Sequence, residues 1–141
     1  MPHFDTGFIG TDVLLEVLFN YGYEDIAFHL LNNTDVGSFL YMKNQGATTL
    51  WESFMGGTAS HFHPMFGGCT RQLFSSILGI KQCKGSAGYR RIKIEPKIPK
   101  ALSFAKGSIE TPYGEISVEW CKKSGETTLR YQVPEGVIVE K

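Results

Sequence analysis

The sequence contains no apolar run long enough to cross a bilayer, and residues 1–10 lack the basic start and apolar core of a signal peptide. It also has no excess charge, since 14 basic residues balance 14 acidic ones. A neutral chain has no bulk attraction for nucleic acid or an anionic membrane, so neither partner is expected. These residues by themselves predict a cytoplasmic location, and any export signal would lie upstream of them.

Cysteines and cofactor motifs are also scarce. Cys69, Cys83 and Cys121 are widely spaced and form no CxxC pair, which indicates reduced thiols. The sequence has no P-loop, no GxSxG motif and no GxGxxG motif after a strand. No cofactor is predicted.

The first half has the apolar spacing of helices. Three segments place apolar residues at i, i+1, i+4 and i+5, which is one stripe of a helix. Thr11 and Thr70 are candidate N-caps. Three helices make a poor closed core, so we expect their stripes to need partners outside this sequence. The stripes are Val13-Leu14-Val17-Leu18, Ile26-Ala27-Leu30-Leu31 and Leu73-Phe74-Ile77-Leu78.

After Gly85 the apolar period changes to two. Three runs alternate apolar and polar residues, as half-buried antiparallel strands do. The change predicts an α+β chain with a helical segment at residues 1–84 and an all-β segment at residues 85–141. The apolar positions of the three runs are Ile92 and Ile94, then Ile116, Val118 and Trp120, then Leu129, Tyr131 and Val133.

A polar, glycine-rich segment separates the second and third helical stripes. Within it, residues 46–52 (Gly-Ala-Thr-Thr-Leu-Trp-Glu) put the carboxylate of Glu52 beside the ring of Trp51. A carboxyl group in an aromatic-walled pocket can have a raised pKa and act as an acid or a base. Trp is also a platform for the apolar face of a sugar. The alternative is an exposed Glu52 beside a core tryptophan, which is the commoner arrangement for a lone Glu.

A second polar motif follows at residues 60–63 (Ser-His-Phe-His). On an extended segment His61 and His63 would point the same way and offer two metal ligands, although a site usually has three or four. Hydrogen bonding to a hydroxylated ligand, or bracing of the loop, is the alternative. Cys69 follows at the start of a helix and could be a thiol nucleophile, but a free cysteine is more often a small buried residue.

A family resemblance is carried by five blocks of the sequence: residues 6–11, 46–52, 60–67, 88–96 and 110–114. In order and spacing these blocks resemble the bacterial α-L-rhamnosidases of glycoside hydrolase family 78, along nearly the whole chain. The resemblance implies that residues 1–84 correspond to the last helices of an (α/α)6 barrel. It also implies that residues 85–141 form a C-terminal antiparallel β-sandwich.

The same resemblance implies an inverting glycosidase acting on terminal α-L-rhamnosides. Such an enzyme needs two carboxyl groups about 6.5–9.5 Å apart, a general acid at the leaving oxygen and a general base that activates water. By position Glu52 matches the base, His63 and His61 match substrate-binding positions, and Trp51 would help to wall the pocket. The family's general acid lies in an upstream motif that nothing in this sequence matches.

The predicted function is therefore that of a C-terminal fragment of a rhamnosidase-like glycosidase, with Glu52 as the base. Its ligand would be a rhamnose-containing glycoside, and its acid would come from a missing upstream segment or another chain. The isolated chain is expected to be inactive. Two alternatives stay open: a non-catalytic module that binds carbohydrate or a partner, and a small metalloprotein built on His61 and His63.

Overall fold

The chain divides after Gln72 into two units, residues 1–72 and residues 73–141. This division is seen in a computed structural model that describes residues 3–57 and 60–141. It falls earlier than the change of apolar period because Leu78 and Ile80 pack among the strands. The domain boundary that the sequence predicts between residues 84 and 85 stays a prediction. No helix in the described residues is long and apolar enough to cross a membrane.

The first unit is helical. Gly22, with φ +81°, lies in the turn between the first two helices, a backbone conformation that favours glycine. The unit also has a helix within the segment that the sequence predicted to be irregular. Its elements are α1 (Phe8–Asn20), α2 (Glu24–Asn32), α3 (Phe39–Asn44), a 3-10 turn (Pro64–Gly67) and α4 (Gly68–Gln72).

The helix α1 begins earlier than its predicted cap. Gly7 occupies the N-cap position, and Thr11 lies inside the helix, where its hydroxyl donates to the Gly7 carbonyl oxygen at 3.0 Å. The buried side of α1 is formed by Thr11, Leu15 and Phe19. Val13, which the apolar spacing assigned to the main stripe, is instead exposed. The N-cap prediction for Thr11 is therefore wrong.

The second unit opens with one π-helical turn, Leu73–Ile77, where a third regular helix was predicted. Six strands follow and form two three-stranded sheets, with orders β1-β2-β6 and β3-β4-β5. All pairs are antiparallel except β2 with β6, which run parallel. The strands are β1 (Ile80–Gln82), β2 (Arg91–Ile94), β3 (Phe104–Thr111), β4 (Gly114–Lys123), β5 (Glu126–Gln132) and β6 (Ile138–Val139).

The core of the second unit lies between the two sheets. Ile80 and Ile92 from one sheet are buried with Ile116 and Val118 from the other. Alternate residues of β4 face this core, because successive side chains of a strand point to opposite faces. Trp120 continues the inward series, and its indole N–H donates to the Ile77 carbonyl oxygen at 2.7 Å. A helical segment followed by a β-sandwich confirms the predicted α+β class.

Candidate active site

The two polar motifs of the sequence lie side by side in the first unit. The Glu52 amide donates to the Ser60 carbonyl oxygen at 3.1 Å, and the His63 amide donates to the Leu50 carbonyl oxygen at 2.7 Å. The Thr49 hydroxyl donates to the His61 carbonyl oxygen. These bonds form a short antiparallel pairing outside any regular sheet. They bring Trp51, Glu52, His61 and His63 together; the intervening Thr58 and Ala59 lie outside the described residues.

Trp51 is buried, with 9% of its surface exposed. His61 stacks on its ring, with ring centroids 4.7 Å apart and planes inclined by 19°. Gly56, at φ +73°, brings the backbone close to the indole, since a Cβ there would lie 3.4 Å from the ring. The exposed His61 therefore covers one face of the buried Trp51 ring.

The ring of His63 lies near those of two phenylalanines. Its ring centroid is 6.0 Å from that of Phe8 and 6.4 Å from that of Phe66. His61 packs against Trp51, so the two imidazoles of the His-x-His motif have different neighbours. The described residues contain no group of three His, Cys, Asp or Glu side chains that could hold a metal ion.

The side chain of Glu52 is exposed. The described residues thus hold its backbone in place but do not enclose its carboxylate. An exposed carboxylate interacts with bulk water, so an environment suited to proton transfer requires other residues that enclose it.

A groove of about 250 Å³ runs beside residues 47–50 and is bounded by Phe39, Met42 and Lys43 of α3.

An aromatic cluster lies beneath the paired segments. Phe54 stacks on Phe4 at 5.1 Å and contacts Phe39 and Phe66 at 4.9 and 4.6 Å between ring centroids. Phe4, Phe54 and Phe66 are buried. The cluster joins the N-terminal residues, α3 and the 3-10 turn to the loop that carries Glu52. The cluster was not predicted from the sequence, although nine of the ten phenylalanines precede residue 75.

We expect Phe54→Ala to destabilise the first unit by about 3–5 kcal/mol, the usual cost of removing a buried phenylalanine. Since Phe54 lies two residues after Glu52 in the same loop, the amides of Glu52 and His63 should also lose protection. Hydrogen exchange combined with urea denaturation would measure both effects. Phe62→Ala is the matched control, since Phe62 is 72% exposed and should leave stability nearly unchanged. Equal effects of the two substitutions would contradict an anchoring role for the cluster.

An ion-pair network joins the ends of the unit. Arg71 on α4 donates to Asp12 at 2.9 Å and to Glu16 at 2.7 Å, both on α1. The hydrogen bond to Glu16 and then that to Asp12 raise the pKa of Arg71 above its ordinary value, so it stays charged. The carboxylates of Asp12 and Glu16 thus form ion pairs that connect α1 with α4.

Cys69 does not have the environment of a nucleophile. Burial raises the pKa of its thiol above the ordinary value, and the hydrogen bond with Thr70 offsets this only in part. A raised pKa lowers the fraction of thiolate, which is the reactive form. Cys69 is partly buried, and a small unreactive residue is therefore the better interpretation of it.

We expect Cys69 in the folded chain to react with iodoacetamide more slowly at pH 7 than the same cysteine in urea. Its rate should rise with pH through a higher midpoint than in the unfolded chain, because the folded thiol deprotonates later. Mass spectrometry of alkylated peptides would follow each cysteine separately. Faster labelling of Cys69 in the folded chain would restore the nucleophile hypothesis.

Two family models match the chain, one after the other. Residues 1–77 match the bacterial alpha-L-rhamnosidase 6 hairpin glycosidase domain, and residues 79–140 match the bacterial alpha-L-rhamnosidase C-terminal domain. An alpha-L-rhamnosidase of Formosa agariphila is 38% identical over 149 residues, which cover 98% of this chain and 16% of the relative.

Two solved structures are similar along nearly the whole chain. The alpha-L-rhamnosidase from Dictyoglumus thermophilum has a TM-score of 0.86 and 35% identity, over 95% of this chain and 15% of its own. The Streptomyces avermitilis alpha-L-rhamnosidase, solved in complex with L-rhamnose, has a TM-score of 0.88 and 30% identity, over 97% of this chain and 14% of its own. The chain thus spans about a sixth of the length of these relatives. With two family domains matched in order and relatives above 30% identity over almost all of its residues, the chain belongs to the bacterial α-L-rhamnosidase family.

Proposed function

We propose that this chain supplies the general base and part of the sugar-binding surface of an inverting α-L-rhamnosidase. The observation that carries the proposal is the backbone pairing between residues 50–52 and 60–63, which sets Glu52 beside His61 and His63. Relatives named alpha-L-rhamnosidase support the substrate class, a terminal α-L-rhamnoside.

In this proposal Glu52 takes a proton from a water molecule. That water attacks the anomeric carbon on the face opposite the leaving oxygen, while a general acid protonates the leaving oxygen. The acid belongs to residues outside this sequence. His63, whose ring lies near those of Phe8 and Phe66, hydrogen-bonds to sugar hydroxyl groups, and the exposed His61 offers a second contact.

Two features support the assignment of Glu52 as the base. Its backbone amide is fixed by Ser60, and Phe54 in the same loop is anchored in the aromatic cluster. Its exposed carboxylate is also accessible to a substrate and a water molecule. Trp51 contributes as a buried support for His61 rather than as a bare stacking platform.

The test is hydrolysis of a chromogenic aryl α-L-rhamnoside by two proteins. The first is this chain alone, which should give no activity above the blank because it lacks the acid. The second is a chimera in which this chain replaces the matching region of the Streptomyces avermitilis enzyme, which should hydrolyse the substrate. Proton NMR of the first product should show inversion at the anomeric carbon. Activity of the chain alone would contradict an acid located elsewhere, and retention would contradict the mechanism.

A further inference from the structure

The sheet β3-β4-β5 turns one face to the core of the second unit and the other face to solvent. On β4 every second side chain from residue 116 to residue 120 is buried, so Ser117, Glu119 and Cys121 lie on the solvent side. Residues paired across neighbouring strands share a face, so the pairing also identifies the solvent side of β3 and β5. We call this surface the outer face. On β3 and β5 it presents Phe104, Lys106, Thr128, Arg130 and Gln132.

The outer face is not flat, because two cavities lie along it. One cavity, of about 350 Å³, extends along β4 and β5 from Ser117 to Glu119 and Arg130. The other, of about 220 Å³, extends from Glu119 and Arg130 to Lys123. The two cavities therefore follow the strands from residue 117 to residue 123, which is roughly 20 Å at a rise of about 3.4 Å per residue. This length suits an extended chain molecule better than a single small one.

The side chains along the cavities combine hydrogen-bonding groups with an aromatic ring. Glu119 and Arg130 are paired across the strands and line both cavities. No hydrogen bond or ion pair joins the side chain of Arg130 to another described residue. Phe104 is 66% exposed and is paired with Cys121, which lines the smaller cavity. A carboxylate accepts and a guanidinium donates, so the pair matches hydroxyl groups, which do both, while the ring offers a platform for the apolar face of a sugar.

The charges of the outer face nearly cancel. Lys106 lies 3.8 Å from Glu119, and Lys123 is paired across the strands with Glu126. Arg130 therefore adds a single positive charge to a face that is otherwise balanced. Nucleic acids and strongly anionic chains need clusters of basic residues, which this face lacks. A protein partner is also a poor match, since the centre of a protein interface is depleted of charged residues.

We propose that the outer face binds a neutral oligosaccharide over several sugar units, with Phe104 stacking on a sugar and Glu119 and Arg130 bonding to its hydroxyl groups. This site lies in the second unit, whereas Glu52 lies in the first. It goes beyond the proposed function, because binding there needs neither Glu52 nor a general acid. Two carbohydrate sites on one chain raise the effective concentration of a long substrate at either of them.

The test titrates the whole chain with neutral rhamnan oligosaccharides and follows its backbone amides by NMR. Amide shifts should change at residues 117–123 and 128–132, and isothermal titration calorimetry should give the Kd. Phe104→Ala and Arg130→Gln should each raise the Kd by about tenfold. Arg90→Gln is the matched control, because Arg90 is also exposed but lies just before β2, outside the outer face. It should leave the Kd unchanged, and circular dichroism should show that all three variants stay folded.

Three results would overturn the proposal. In the first, amide shifts are absent or are confined to residues 50–63, and in the second, Arg130→Gln and Arg90→Gln bind equally well. In the third, chemically sulfated rhamnan oligosaccharides bind about tenfold more tightly than neutral ones, and the site is then one for an anionic chain. A chimera that does not hydrolyse the aryl rhamnoside would contradict the proposed function alone, because shifts at residues 117–123 are measured without catalysis.

Discussion

Glu52→Gln should lower the kcat of the chimeric rhamnosidase by about 10²–10⁴-fold, the usual contribution of a general base. The amide matches the carboxylate in shape and keeps a carbonyl oxygen that accepts hydrogen bonds, but it does not take a proton from water. Binding of the sugar should change little, so KM should stay close to that of the parent chimera. The limb of the pH–rate profile that reports ionisation of the base should disappear. Steady-state kinetics between pH 4 and pH 9 would measure all three quantities.

The matched control is Glu115→Gln, since Glu115 is an exposed carboxylate on β4, outside the first unit. It should leave kcat, KM and the pH–rate profile unchanged. A chimera that keeps its rate after Glu52→Gln would remove Glu52 from the mechanism, even if the enzyme still hydrolyses rhamnosides. A rise in KM alone would instead assign Glu52 to sugar binding.

Gly79→Ala should destabilise the second unit by about 2–5 kcal/mol. Gly79 lies just before β1 at φ +80°, and its carbonyl oxygen accepts from the Glu95 amide at 2.9 Å. A Cβ at this position would lie 2.2 Å from the backbone nitrogen of Pro96 and 2.4 Å from the carbonyl carbon of Glu95. Backbone atoms cannot rotate away as a side chain does, so the cost of overpacking adds to that of a left-handed alanine. Chemical denaturation followed by circular dichroism would measure the loss.

Gly85→Ala separates the cost of the left-handed conformation from the cost of overpacking. Gly85 has nearly the same φ, +75°, but nothing lies within 4 Å of the position of its Cβ. We expect a loss of about 1–2 kcal/mol there, from the left-handed conformation alone. Losses of equal size for Gly79→Ala and Gly85→Ala would show that the approach of Pro96 carries no penalty.

The strands that the sequence predicted are those whose alternation is strong. Ile116, Val118 and Trp120 of β4 are all buried, and the run is unambiguous. The partner strand β3 was missed because its inward positions include Ala105 and Gly107, which give a weak apolar signal. Gly107 also lies close to Leu78, since a Cβ there would lie 2.7 Å from the Leu78 Cδ1 atom and would force that side chain to move. Such a reason is visible only once the sheet is assembled.

The candidate site shows a similar limit. Both polar motifs were recognisable as sequence blocks, and backbone hydrogen bonds pair the two segments in the structure. The stacking of His61 on Trp51 was not predictable, because it depends on the register between two segments separated by an irregular loop. The assignment of Val13 and Val17 to the main stripe of α1 failed for a related reason. When a helix has apolar residues on two opposite sides, its sequence does not indicate which side is buried within this chain.

Each unit of the chain contains one tryptophan, Trp51 in the first and Trp120 in the second, and both are buried. Each therefore carries its own intrinsic fluorophore. Trp51 emits from beneath an imidazole ring, whereas Trp120 emits from an apolar core with its N–H bonded to a carbonyl oxygen. The tryptophan emission recorded while this protein is heated is accordingly the sum of one signal from each unit. Replacing either tryptophan by phenylalanine leaves the emission of the other, which then reports the unfolding of its own unit.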